Sequence, residues 1–126
     1  MTRKLILKKC KSCGAMIKVL KDCTIDECGI RCCGEQMVEL KPNSVDASAE
    51  KHVPEYTVEG NKIKVKVNHV MEDEHYIEWI SIVSDKKECT KYFKPGDVPE
   101  AEFHYEPGAT LYAFCNKHDL WSKEVK

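Results

Sequence analysis

Asn68-His69-Val70-Met71-Glu72-Asp73-Glu74-His75-Tyr76-Ile77-Glu78-Trp79 is the stretch on which the reading of the fold turns. Before it, Lys62-Ile63-Lys64-Val65-Lys66-Val67 alternates polar and apolar residues strictly, which predicts a half-buried strand. After it, Tyr76-Ile77-Glu78-Trp79-Ile80 predicts a second strand. Side chains along a strand alternate faces with period two. His69 therefore shares the parity of Ile63, Val65 and Val67, and His75 that of Ile77 and Trp79. An unbroken pleat puts both imidazoles on the core-facing side, at one end of a hairpin whose tip is the acidic Glu72-Asp73-Glu74. One histidine in such a place is ordinarily a satisfied core residue. Two that converge point to metal ligands.

Outward from that stretch, residues 52–126 read as all-β. Short strands are predicted over 55–59, 62–68, 75–83, 88–93, 101–105 and 110–115. Turn signals separate them: Glu59-Gly60-Asn61, Ser84-Asp85-Lys86, Lys94-Pro95-Gly96-Asp97 and Glu106-Pro107-Gly108. That spacing predicts an antiparallel sandwich. Residues 41–51 read as a linker in which 46–51 can make one helical turn. Residues 1–40 read as a separate small module, with short strands over 1–9, 16–20 and 37–40 around a run of cysteines. Such a module buries too little apolar surface to fold without a bound metal.

The chain has 126 residues, with 20 basic and 21 acidic side chains and a formal net charge of −1. No basic excess points to nucleic acid. The first residues, Met1-Thr2-Arg3-Lys4-Leu5-Ile6-Leu7-Lys8-Lys9, have too short an apolar run for a signal peptide or a membrane span. The expectation is a soluble, cytoplasmic protein with no nucleic-acid or membrane partner. Eight cysteines then favour metal binding over a disulfide framework.

Two constellations carry chemistry. Cys10-Lys11-Ser12-Cys13-Gly14 and Cys32-Cys33-Gly34 bring four thiols that suit a tetrahedral iron or zinc site. An adjacent cysteine pair is unusual for a zinc ribbon, yet a zinc staple remains open. Cys23 and Cys28 read as extra loop thiols, free or transiently oxidised, although either could replace a member of the Cys32-Cys33 pair. The second constellation gathers His52, His69, His75, Cys115 and His118 at strand ends. Taken singly, each has an ordinary reading as a surface or packing residue. Taken together, imidazoles with a thiolate suit iron, copper or zinc. Glu50-Lys51, just before His52, reads as a solvated pair. Beside a metal, however, the lysine would attract small anions and the carboxylate could coordinate or move protons. Cys89 and His104 receive no role.

These pieces resemble the desulfoferrodoxin family, the two-iron superoxide reductases. The matching residues are Cys10-Lys11-Ser12-Cys13-Gly14, Cys32-Cys33-Gly34, Asp46-Ala47, Glu50-Lys51-His52-Val53-Pro54 and 69–79. Lys94-Pro95-Gly96 and Cys115-Asn116-Lys117-His118 with Leu120-Trp121 complete the match, in the family's order along nearly the whole chain. The resemblance implies a mainly β protein: a metal-stapled desulforedoxin-like module followed by an immunoglobulin-like β-sandwich. It implies two irons per chain, one held by Cys10, Cys13, Cys32 and Cys33. The other would have His52, His69, His75 and His118 as equatorial ligands and Cys115 as the axial one. The implied reaction is one-electron reduction of superoxide to hydrogen peroxide, with re-reduction by an external donor such as rubredoxin, in a homodimer. Lys51 would steer superoxide, and the family's counterpart of Glu50 can take the sixth position on oxidised iron. Three positions depart from the family pattern. The interval from Cys13 to Cys32 is long, Val70 stands where proline is usual, and Asp119 stands where glycine is usual. A positive φ at that last position suits aspartate better than most residues.

Competing readings remain from the residues alone. One is an electron carrier whose business end is the four-cysteine iron. Another is a zinc-stapled binding domain. The nearest in chemistry is a superoxide dismutase.

Overall fold

A computed structural model of the chain describes residues 3–23, 25 and 29–126. Among these, every regular element is a β-strand except one 3-10 turn at Ala49–Lys51. The chain divides into a smaller unit, Leu5–Lys41, and a larger one, Pro42–Lys126 with the amino-terminal residues up to Lys4.

The smaller unit carries β1 (Leu7–Lys9), β2 (Met16–Lys18), β3 (Arg31–Cys32), β4 (Glu35–Gln36) and β5 (Val38–Glu39). β1 lies between β2 and β5, antiparallel to both. β3 and β4 form a hairpin whose two turn residues, Cys33 and Gly34, have φ of 54° and 76°. Positive φ at both positions is the geometry that follows the twist of paired strands. Gly14, at φ 80°, closes the other cysteine turn, its N–H donating to the Cys10 carbonyl at 2.9 Å. Among the described residues only Leu7, Cys10 and Met37 are buried apolar side chains in this unit. So small a core leaves the unit with little apolar burial of its own to hold it.

The larger unit carries β6 (Glu55–Glu59), β7 (Lys62–Lys66), β8 (Ile77–Val83), β9 (Glu88–Tyr92), β10 (Glu100–His104), β11 (Thr110–Cys115) and β12 (Asp119–Glu124). They form two antiparallel sheets, β10-β7-β6 and β12-β11-β8-β9. This is an immunoglobulin-like sandwich. Alternation decides which side chains face in. Ile63 and Val65 on β7 and Ala101 and Phe103 on β10 are buried, with lysines and glutamates between them facing out. They pack with Ile80, Ile82, Leu111 and Ala113 of the other sheet.

Three sequence expectations change. First, the two strands flanking the histidine stretch do not pair. β7 and β8 belong to different sheets, and residues 67–76 cross from one to the other. The acidic tip is a tight turn closed by Glu72 and His75, with backbone hydrogen bonds of 2.9 and 3.2 Å. Polar–apolar alternation tells which face of a strand is buried but not which strand lies beside it. Second, β8 is bulged against β11: Cys115 pairs with Ile77 and Phe114 with Trp79, leaving Glu78 over. The extra residue resets the pleat. Ile77 enters the core with Ile80 and Ile82, while Trp79 stacks on Phe114 at 5.8 Å. The shared parity of His75, Ile77 and Trp79 therefore breaks at Glu78. Third, β12 is an additional strand. Its Leu120 and Trp121 are adjacent and both buried, so no alternation announces it. The turn into it places Asp119 at φ 61°, the left-handed conformation that aspartate tolerates.

Candidate metal centre

The larger unit gathers five donor side chains at one end of the sandwich. His52 follows the 3-10 turn, and His69 and His75 lie on the crossing between the sheets. Cys115 ends β11, and His118 sits in the β11–β12 turn. Their ligand atoms all lie within 4.8 Å of one another. The four imidazoles form a closed ring in the order His52, His69, His75, His118. Successive centroid distances are 4.8, 4.6, 5.2 and 4.9 Å, each contact edge-to-face. Cys115 Sγ reaches His69 Nε2 at 3.4 Å and His118 Nδ1 at 3.9 Å. His52 Nε2 stands 3.1 Å from His118 Nδ1. His118 thus presents Nδ1 to the cluster, whereas His52 and His69 present Nε2.

The outer side of the ring fixes which nitrogens face in. His52 Nδ1–H donates to the Ser48 carbonyl at 2.7 Å, and His69 Nδ1–H donates to the Val70 carbonyl. Each bond leaves the Nε2 lone pair for the cluster. Trp121 stacks on the His52 ring at 4.7 Å and donates its indole N–H to the His118 carbonyl at 2.9 Å. One buried side chain therefore braces two of the five.

Burial lowers the pKa of His52, His69 and His75, and neighbouring histidines push in the same direction. Neutral imidazole, the ligating form, is favoured. Burial raises the Cys115 thiol, opposed by the backbone N–H groups of Lys117 and His118. His75 Nε2 is buried with no hydrogen-bond partner among the described residues. A buried polar atom left unpaired is costly. A cation among these donors would satisfy it and hold the thiolate form of Cys115. The residues fit a transition-metal ion.

In the smaller unit, Cys10, Cys13, Cys32 and Cys33 form a second cluster with sulfurs within 4.8 Å of one another. Cys13 and Cys32 are 3.7 Å apart, and Cys32 and Cys33 are 3.9 Å apart. The backbone N–H of Cys13 lowers the Cys10 thiol to about 7. Hydrogen bonding to Cys13 and Cys10 pushes Cys32 up to about 12, and Cys33 is raised by Cys13. Four sulfurs this close resist shedding their protons together, and a cation removes that resistance. Cys23 is disulfide-bonded and stands outside this cluster. Cys28 lies outside the described residues. Cys89 and His104 belong to neither cluster.

A family model described as Desulfoferrodoxin matches residues 44–124, which span all five donors of the larger cluster. The chain belongs to the desulfoferrodoxin family. It is 41% identical to the desulfoferrodoxin of Syntrophotalea carbinolica over 98% of this chain and 99% of that one. It is 41% identical to the desulfoferrodoxin of Nitratidesulfovibrio vulgaris, over 93% and 94% of the two chains. Among solved structures, the superoxide reductase of Treponema pallidum superposes with a TM-score of 0.72 at 28% identity. That match covers 97% of this chain and all of the other. Within this desulfoferrodoxin frame, Glu50 and Lys51 lie in the 3-10 turn that leads into His52, both exposed. The charge of Lys51 helps lower the pKa of His52, so the ammonium is felt at the cluster. Glu50 borders a surface depression with Val53, Pro54, Tyr56 and Lys123. Val70 is about half exposed and lends its carbonyl to His69. Ser48 and Trp121 are the supporting residues that sequence reasoning gave no role. Ser48 is signalled only by its place four residues before His52, whereas Trp121, three residues after His118, stands in the matching Leu120-Trp121 pair without a role.

Proposed function

We propose that the chain is a superoxide reductase. It takes superoxide, one electron and two protons to hydrogen peroxide at the cluster of His52, His69, His75, His118 and Cys115. The observation that carries this reading is the closed ring of four imidazoles with a thiol in contact with two of them. Iron bound there would supply one-electron chemistry between its ferrous and ferric states, which zinc, having no redox chemistry, would not.

The rest of the work falls to the protein. The four imidazoles would hold the ion without adding charge. The Cys115 thiolate would contribute negative charge and electron density to a bound ion. Lys51 draws the superoxide anion toward the cluster and stabilises negative charge as the reaction proceeds. Protons arrive through water ordered near Lys51. Glu50 is the carboxylate that assists departure of the peroxide.

Cys10, Cys13, Cys32 and Cys33 hold a second iron. An external protein, rubredoxin or one of its kind, returns the electron. The chain acts as a homodimer in the cytoplasm. Support comes from the superoxide reductases among the relatives and solved structures. Metal analysis with visible and paramagnetic-resonance spectra of the oxidised protein tests the proposal. Two irons per chain with distinct tetrathiolate and histidine–thiolate signatures are expected. Zinc in the histidine–cysteine cluster of the natively isolated protein would contradict it.

A further inference from the structure

The crossing that carries His69 and His75 belongs to neither sheet, so something must fix it against the turn that carries Cys115 and His118. We propose that Asn116 is the positioning residue that does this, and that its side-chain amide sets where the His75 imidazole stands in the donor ring. The inference rests on the metal-centre reading above. Asn116 Oδ1 accepts the backbone N–H of Tyr76 at 2.9 Å, and its Nδ2 donates to the Glu74 carbonyl at 2.9 Å. The backbone N–H of Asn116 adds a third bond, to the Tyr76 carbonyl at 3.2 Å. The two amide bonds grip the chain one residue before and one residue after His75. Asn116 itself is bonded directly to Cys115 and lies two residues from His118.

His75 depends on this grip more than His52 and His69 do. The His52 and His69 rings are held by the Ser48 and Val70 carbonyls, and Trp121 packs on His52. Among the described residues no hydrogen bond holds the His75 ring at Nε2. Its place comes through its backbone, which the Glu72 turn closes on one side and Asn116 ties down on the other. An amide is the side chain that suits the job, because one planar group offers both a donor and an acceptor. Aspartate has the same shape but no donor, and would set a carboxylate oxygen against the Glu74 carbonyl. Alanine removes both bonds. Either variant keeps the backbone bond from residue 116.

The test is a cobalt(II) titration of the metal-free full-length chain, followed by absorption. The four-thiolate cluster serves as an internal control. Asn116→Ala and Asn116→Asp are expected to weaken uptake at the histidine–cysteine cluster roughly 10–100-fold, the usual scale for a residue that orients a ligand. The four-thiolate step stays unchanged. The deciding comparison is the double variant. If Asn116 acts through His75, Asn116→Ala combined with His75→Ala binds no more weakly than His75→Ala alone. Fully additive losses, or unchanged affinity in both Asn116 variants, would overturn this inference alone. Absence of any histidine–cysteine step in the unaltered chain would overturn the metal-centre reading and this inference with it. The isosteric Asp variant carries the test should the alanine chain fail to fold, and the thermal midpoint of each metal-free variant checks that point.

Discussion

At the scale of the residue, the donors were legible and their supports were not. His52, His69, His75, Cys115 and His118 announce themselves by chemical type, and the geometry brings all five within 4.8 Å. Ser48 and Trp121 act through a carbonyl and an indole face, features that every serine and tryptophan possesses. Cys115→Ser is expected to abolish the thiolate-to-iron absorption of this centre while leaving the four-cysteine spectrum intact. Persistence of the band would rule out Cys115 as a ligand. Lys51→Ala removes an exposed cation beside the cluster. Pulse radiolysis is expected to show slower encounter with superoxide and a flatter dependence on ionic strength, since screening acts only on a charge that is present. Identical rates at every salt concentration would refute the steering role. Trp121 stacks on one ligand and hydrogen-bonds a second, so iron loading is expected to quench its emission. In Trp121→Phe that quenching should largely disappear, leaving the weaker response of Trp79.

At the scale of the element, alternation located the buried faces well and the pairings badly. Ile63 and Val65 lie where period two puts them. Alternation makes the strand after the histidines a hairpin partner of β7, whereas it joins the opposite sheet. Facing sheets share a core, so a strand in either one shows the same pattern. The bulge at Glu78 was equally hidden, because an extra residue leaves no compositional trace. Leu111, the second residue of β11, is fully buried in the core between the sheets. Leu111→Ala is expected to cost about 2–5 kcal/mol in denaturant unfolding of the larger unit, the usual cost of deleting a core leucine side chain. A change under about 0.5 kcal/mol, the scale of surface substitutions, would contradict the packing described.

At the scale of the whole molecule, the two units differ in what holds them. The larger has a continuous apolar core between its sheets, while the smaller buries only Leu7, Cys10 and Met37 among the described residues. Chelation of the four-cysteine metal is therefore expected to release amide hydrogen exchange across residues 5–41 and leave β8 and β11 protected. Uniform protection after chelation would show that the smaller unit stands without its metal. The reaction itself is read most directly in its products. With the iron-loaded chain, a reductant and a defined flux of superoxide, one hydrogen peroxide should appear for each superoxide consumed, with no oxygen released. Oxygen evolved in amounts equal to the peroxide would mean dismutation, and would contradict the assignment of this cluster as a superoxide-reducing centre.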